Sequence, residues 1–437
     1  MKHLIRRGLG VALAVVMTAS LLSGCGSDYD PVQDIMGYKG STVMFTVNGQ
    51  DVTAEQYLFW LAQQADSAYS YLSMMQSDDS DQTSVWDTEI QEGQTAGDSI
   101  KEAAQKYAIM YSVVESKGKE EGYTYSSEDK ASYQEDLAKA KEQVGGEEDY
   151  ANYLKSMCIS NKGFEKLSSV SFVHNHMVDG MFQDGKEGAP TAEELTQYAD
   201  DNDLLVAKHI LLLTKDTSTN EELSDEAKAE KKAKANELLQ ELQAITDPTE
   251  LETKFDELMN ANSEDTGLES NPDGYVFSAG EMVEAFESAT RALEPGQISG
   301  IVESKFGYHI ILRLDPATSK AFRKSYSTAK VGELEQQWVE EADVTTTETY
   351  DNLSVADFYE KLTAYRDTLN TDAEQTEEEN QEVQQDTGDT DAADAGSEAD
   401  AATDADANTD TNTDANTDTS ADTSDATSTE DTTQAAQ

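Results

Sequence analysis

Val206-Ala-Lys-His-Ile-Leu-Leu-Leu213 and Gly307-Tyr-His-Ile-Ile-Leu-Arg-Leu314 are two apolar runs, rich in leucine and isoleucine, that each hold one histidine. Runs of this kind read as buried strands, so His209 and His309 are expected on neighbouring strands of one sheet, not on solvated loops. The residues between them read as a compact unit. Strong helix formers with apolar residues at helical spacing fill 224–245, and Asp247-Pro248 ends that helix. A second helix, 249–259, sets Leu251, Phe255, Leu258 and Met259 on one face. A polar loop, 262–274, leads to a short strand at 275–277, a helix over 281–293, a turn at 294–297 and a strand at 298–302 that feeds the second histidine strand. The order is β-α-α-β-α-β-β, an α+β arrangement.

Seven motifs recur along this stretch in order: Ala207-Lys-His-Ile-Leu211, Phe255-x-x-Leu258, Ser263-Glu-Asp-Thr266, Gly280-Glu-Met282 followed by Ala285-Phe-Glu287, Pro295-Gly-Gln-Ile-Ser-Gly300, and Gly307-Tyr-His-Ile-Ile311. Together they resemble the parvulin-type peptidyl-prolyl cis-trans isomerases. The resemblance implies an antiparallel sheet with packed helices and an activity that needs no nucleophile, metal or cofactor. It also implies roles. His209 and His309 would hold a rigid hydrogen-bond network, Asp265 would lie beside the substrate carbonyl, and Ser304 would supply a hydroxyl near the second histidine. Met282 and Phe286, four apart on one helix face, would wall a proline pocket with Phe277. Plainer readings stand beside these: histidines satisfied in a core, Met282 and Phe286 as ordinary packing, Asp265 as a turn residue. The chain departs from the family at Pro272-Asp-Gly-Tyr-Val-Phe277, where parvulins carry Gly-Asp-Leu-Gly before the aromatic strand, and at Phe306, where small polar residues are common.

The flanks give the domain plan. Residues 1–24 hold a basic start and an apolar core too short for a comfortable span. Leu22-Ser-Gly-Cys25 resembles the bacterial lipoprotein signal, which implies lipidation at Cys25 and tethering to the extracytoplasmic face of the cell membrane. The other cysteine is Cys158, so with Cys25 lipidated no intramolecular disulfide is expected. His174-Asn-His176 has no ligand-spaced partners and reads as decoration on a helix. Residues 25–42 read as a linker. A hairpin turning at Asn48-Gly49 then enters a helix at Ala54, similar to the first segment of exported foldases of the PrsA and SurA type. On this plan a helical chaperone domain occupies 43–203 and is completed by 316–370, with the isomerase-like domain, 204–315, inserted between. Residues 371–437 carry 21 acidic and no basic residues, and one aliphatic side chain, Val383; such a tail is expected to be disordered.

The net charge of −57, of which −36 remains without that tail, excludes nucleic acid as a partner. Basic or apolar unfolded segments of newly exported chains are the clients that fit, and a homodimer stays open. Three functions are compatible with the sequence: a tethered isomerase and foldase, a non-catalytic holdase with a degenerate isomerase domain, and a solute-binding lipoprotein. The parvulin motifs argue against the last.

Overall fold

The computed structural model describes residues 29–75 and 84–386. Cys25, the signal segment 1–24 and the tail beyond Asp386 lie outside the described residues. Those described up to Thr376 belong to one compact unit.

The inserted module follows the expected order. Its strands are β5 (Leu205–Leu213), β6 (Tyr275–Phe277), β7 (Val302–Glu303) and β8 (Gly307–Arg313), and its helices are α8 (Asp225–Gln243), α9 (Pro248–Asn262) and α10 (Glu284–Arg291). They number from the elements of the host, which come first in the chain: α1 (Pro31–Met36), β1 (Val43–Val47), β2 (Gln50–Thr53), α2 (Ala54–Met75), β3 (Glu89–Gln91), β4 (Gln94–Thr95), α3 (Ala96–Glu120), α4 (Ser127–Val144), α5 (Glu147–Ser156), α6 (Asn161–Gly180) and α7 (Ala192–Asp201). After the module come α11 (Lys320–Glu340), β9 (Val344–Thr346), α12 (Glu348–Asp351) and α13 (Val355–Asp386).

The module's sheet has the order β6-β5-β8-β7 and is antiparallel throughout. Alternation along β5 divides its side chains. Leu205, Ala207 and His209 face α10, whereas Val206, Ile210 and Leu212 face a second core with Phe255, Leu258 and Leu238. The β5–β8 register sets His209 opposite Ile311 and Leu211 opposite His309, so both histidines fall on the α10 face. Local caps fix the helices: the Ser224 hydroxyl accepts from the Ala227 amide, and Asp247 caps α9 with Pro248 in its first turn. The second core reaches past the expected limits of 204 and 315, because Leu195 and Ala199 of α7 and Phe322 of α11 pack into it.

The host is held shut by a second sheet, order β2-β1-β9, in which Phe45 pairs with Thr346 across the whole insertion. Phe45, Tyr57 and Tyr350 meet edge to face with centroids 5.3–5.7 Å apart. Arg366 of α13 grips both oxygens of Asp66 at 2.8 Å and donates to the Ser156 carbonyl, tying the last helix to α2 and the end of α5. The two histidines of α6 do more than decorate it: His174 lies 2.6 Å from the buried Glu335 carboxylate of α11, and His176 lies 3.0 Å from Asp129 of α4. Cys158 is fully buried and unpaired.

Four expectations need correction. The segment taken as linker folds from Pro31, since Asp30 caps α1 and also accepts from the Gly40 amide. The helix expected at 281–293 is shorter and begins after Val283. The strand expected at 298–302 forms only at its end. The Ser299 hydroxyl accepts the Ile311 amide at 2.9 Å, so a side chain interrupts the ladder and Ile298 makes an isolated bridge to Leu312. Helix α13 continues beyond Thr371 to Asp386, through a stretch rich in Glu and Gln, both good helix formers.

Candidate active site

Four elements of the module converge on one line of polar groups. On β5 and β8, His209 and His309 stand side by side with their rings 20° from parallel and their Nδ1 atoms 3.1 Å apart. Beyond His209, its Nε2 lies 2.9 Å from Oδ2 of Asp265, in the loop after α9. Beyond His309, its Nε2 lies 2.7 Å from the Ser304 hydroxyl in the β7–β8 turn. Both rings are buried, at 8 % and 3 % exposure.

The partners dictate the tautomers when both rings are neutral. An ionised carboxylate only accepts, so His209 carries its proton on Nε2 and offers Nδ1 as an acceptor. His309 must then donate from Nδ1 and accept the Ser304 hydroxyl proton at Nε2. Every donor in the line points toward Asp265. Ser304 Oγ also accepts the Phe306 amide at 3.1 Å, and the Gly307 carbonyl accepts the Ser304 amide, so the turn itself fixes the far end.

The electrostatics agree with a neutral His309 at one end of the contact and a fixed anion beyond the other. Burial pushes His309 down to about 4, helped by the nearby His209 and opposed by Asp265. The His209 N–H holds the Asp265 carboxyl well below the usual carboxylate range against the effect of burial; the Tyr275 hydroxyl and the Gly267 amide add to it. Proton shuttling is ill served by such a line; rigid placement of dipoles is well served.

An apolar floor lies under the histidines. Phe286 of α10 packs edge-on to His209 at 5.2 Å and to His309 at 5.6 Å, and Phe277 of β6 packs against Phe286 at 5.7 Å. Phe277 and Phe286 are both buried, while Met282, in the same cluster, is only half-buried and forms the rim. All seven residues singled out in the module, His209, Asp265, His309, Ser304, Met282, Phe286 and Phe277, are therefore brought together, and Cys25 lies outside the described residues. Clefts of about 520 Å³ elsewhere, one between β2, α2, α3 and α6 and one behind the module beside Lys208, are lined by none of them.

Sequence reasoning missed Tyr275. Its hydroxyl donates to Asp265 Oδ2 at 2.6 Å. The signal was available: positions 275 and 277 share a face of a strand, and Phe277 had been assigned to the pocket. Gly274 sets it there, with φ +106° and a backbone that passes so close to Ala207 that a Cβ would lie 2.9 Å from its carbonyl oxygen.

The comparisons with known proteins meet this geometry. The PPIC-type PPIASE domain family, also called Rotamase, matches residues 209–315. Foldase protein PrsA 1 of Bacillus cereus is 32% identical over 166 residues, which cover 34% of this chain and 56% of that protein. Chaperone SurA of Thiobacillus denitrificans is 37% identical over 109 residues, 25% of this chain and 22% of that one. The chain thus spans little more than half of the first relative's length and under a quarter of the second's. Among solved structures, PrsA from Bacillus subtilis aligns with 57% of this chain and 89% of its own at 20% identity, with a TM-score of 0.31. Residues 209–315 are a parvulin-type, PPIC-class peptidyl-prolyl isomerase domain, carried in a chain similar to PrsA foldases and SurA chaperones.

Proposed function

We propose that the protein catalyses cis-trans isomerisation of Xaa-Pro bonds and assists the folding of exported chains. The observation that carries this reading is the line Asp265–His209–His309–Ser304 lying against the Phe286 and Phe277 floor. Rotation about an Xaa-Pro bond meets a barrier of about 20 kcal/mol because the amide is resonance-stabilised. No bond is made or broken, so the catalyst has only to strip water from the amide, hold the ring and stabilise the twisted state with fixed dipoles. Each 1.4 kcal/mol or so removed from the barrier gives about tenfold in rate. In this reading Met282 and Phe286 receive the proline ring over Phe277. Asp265 lies nearest the carbonyl, and the two histidines with Ser304 keep it in place.

The acidic composition supports basic or apolar unfolded segments as clients, with the helical host cradling them. Tethering through lipid on Cys25 at the extracytoplasmic face is the location the sequence supports. Among the described residues no helix is long and apolar enough to cross a membrane. A non-catalytic holdase is the second reading, favoured by the altered Asp273-Gly-Tyr275 loop.

Exchange of short Xaa-Pro peptides, followed by NMR with the purified protein and its Asp265→Ala and Met282→Ala variants, separates the two. Accelerated exchange that drops in both variants establishes the isomerase and this pocket. A folded protein that leaves exchange at the uncatalysed rate establishes the holdase.

A further inference from the structure

Two features of the site have no part in the reaction as described. Asp265 Oδ2 receives two donors at once, His209 Nε2 at 2.9 Å and the Tyr275 hydroxyl at 2.6 Å, while Oδ1 takes the Gly267 amide at 3.1 Å. Gly267, in turn, stands where a Cβ would collide with the Tyr275 hydroxyl oxygen and touch Asp265 Oδ1 at 3.4 Å. Its backbone is not in the left-handed region, so what glycine provides here is space.

We propose that Tyr275 is a positioning residue of the isomerase site, clamping the Asp265 carboxylate in one rotamer as a permanent acceptor, and that Gly267 is the residue that leaves room for the clamp. The proposal rests on the isomerase reading for its catalytic consequence, though not for its physical one. A carboxylate with one donor on each oxygen can turn and exchange them. With two donors crowding Oδ2 and a backbone amide on Oδ1, the oxygens are no longer equivalent and rotation breaks three bonds together. Because Asp265 is the anchor toward which every donor in the line points, fixing it as an acceptor fixes the tautomer of His209, then that of His309, then the direction of the Ser304 hydroxyl. Tyr275 reaches Asp265 from β6, the edge strand beside β5, so it closes a loop of contacts between three elements: β5, β6 and the α9–β6 loop.

Packing alone is the competing account, since the Tyr275 ring also meets His209 edge-on at 5.6 Å. Tyr275→Phe keeps that ring and deletes the hydroxyl. Gly267→Ala keeps Tyr275 and Asp265 and displaces the hydroxyl, so the two variants reach one outcome by different routes.

The whole protein, with ¹⁵N-labelled histidine and ¹³C-labelled aspartate, is titrated by NMR alongside the peptide-exchange assay. The groups that bear on Asp265 are His209 of β5, Tyr275 of β6, and His309 of β8 behind His209; neighbouring Glu264 is engaged by Lys231. Expected in Tyr275→Phe is a rise of about one to two pH units in the Asp265 midpoint. The His209 ring shifts should also move from a single Nε2–H tautomer toward a mixture, and kcat should fall about tenfold with KM changed less than twofold. Gly267→Ala should reproduce the shifts; if it does not fold, Tyr275→Phe decides alone. Unchanged ring shifts and an unchanged Asp265 midpoint in Tyr275→Phe overturn the clamp, even where activity falls. Shifts that move in Tyr275→Phe, when the wild-type protein shows no isomerase activity, uphold the clamp and remove the isomerase reading instead.

Discussion

His209 and His309 share one proton between Nδ1 atoms 3.1 Å apart, on strands whose register puts each two residues away from lying directly opposite the other. That spacing is too short for two N–H groups to face each other, so one Nδ1 donates and the other accepts.

Acid costs this domain stability through the burial of His309. The folded value of His309, about 4, lies below its ordinary 6.5, so the unfolded chain binds more protons between those values and stability drains as pH falls through that window. Asp265, also held low when folded, adds a loss of the same sign at still lower pH. Urea unfolding between pH 7 and pH 4 should show a decline on the order of 2–3 kcal/mol from His309. His309→Gln should flatten that slope; an equally steep slope in the variant would place the titrating group elsewhere.

Ser304→Ala removes the donor to His309 Nε2 and the acceptor of the Phe306 amide. Xaa-Pro exchange should slow by about three- to tenfold, the scale of one lost hydrogen bond at a buried ring, with the fold retained. Full wild-type exchange would show that the line ends functionally at His309.

Gly307 meets β5 so closely that a Cβ would collide with the Leu212 carbonyl oxygen, at the point where β8 starts and the Ser304 turn closes. Gly307→Ala should lower stability by about 2–4 kcal/mol, whereas Gly300→Ala, with nothing within 4 Å, should stay within about 0.5 kcal/mol. Chemical denaturation of the pair tests the contrast, and equal stabilities would refute it.

In the host, Phe45 is fully buried between Tyr57 and Tyr350 and sits at one end of the β1 pairing with β9, opposite Thr346. Phe45→Ala should cost about 3–5 kcal/mol. A loss below about 1 kcal/mol in equilibrium unfolding would mean that α13 and its Arg366 contacts, not the β1–β9 seam, hold the ends together.

The two histidine strands were legible because each is an apolar run broken by one histidine, whereas their antiparallel order was reached through the family resemblance, β5 and β8 being joined by a long excursion through the module. Asp265 and Ser304 were reached through the family resemblance, since nothing in a polar loop marks which carboxylate turns inward. Tyr275 was passed over because its partner lies in that same loop, ten residues earlier, and only the turn at Gly274 brings them together. β9 escaped for a different reason. Its residues Val344-Thr-Thr346 are β-branched, but three residues do not announce a strand unless the partner is known, and the partner lies at Val43–Val47. The Ser299 hydroxyl that breaks the β7 ladder is a side-chain choice invisible to any periodicity.

The β1–β9 seam also orders events in time. A ribosome delivers β1 early and β9 only after the entire module has been made, whereas Ala207 and Arg313, partners at one end of the β5–β8 ladder, both belong to the module itself. Short-range closures precede long-range ones when loop entropy is the obstacle. The isomerase-like module can thus pair its strands before the host does, and the last segment to arrive completes the β1–β9 seam.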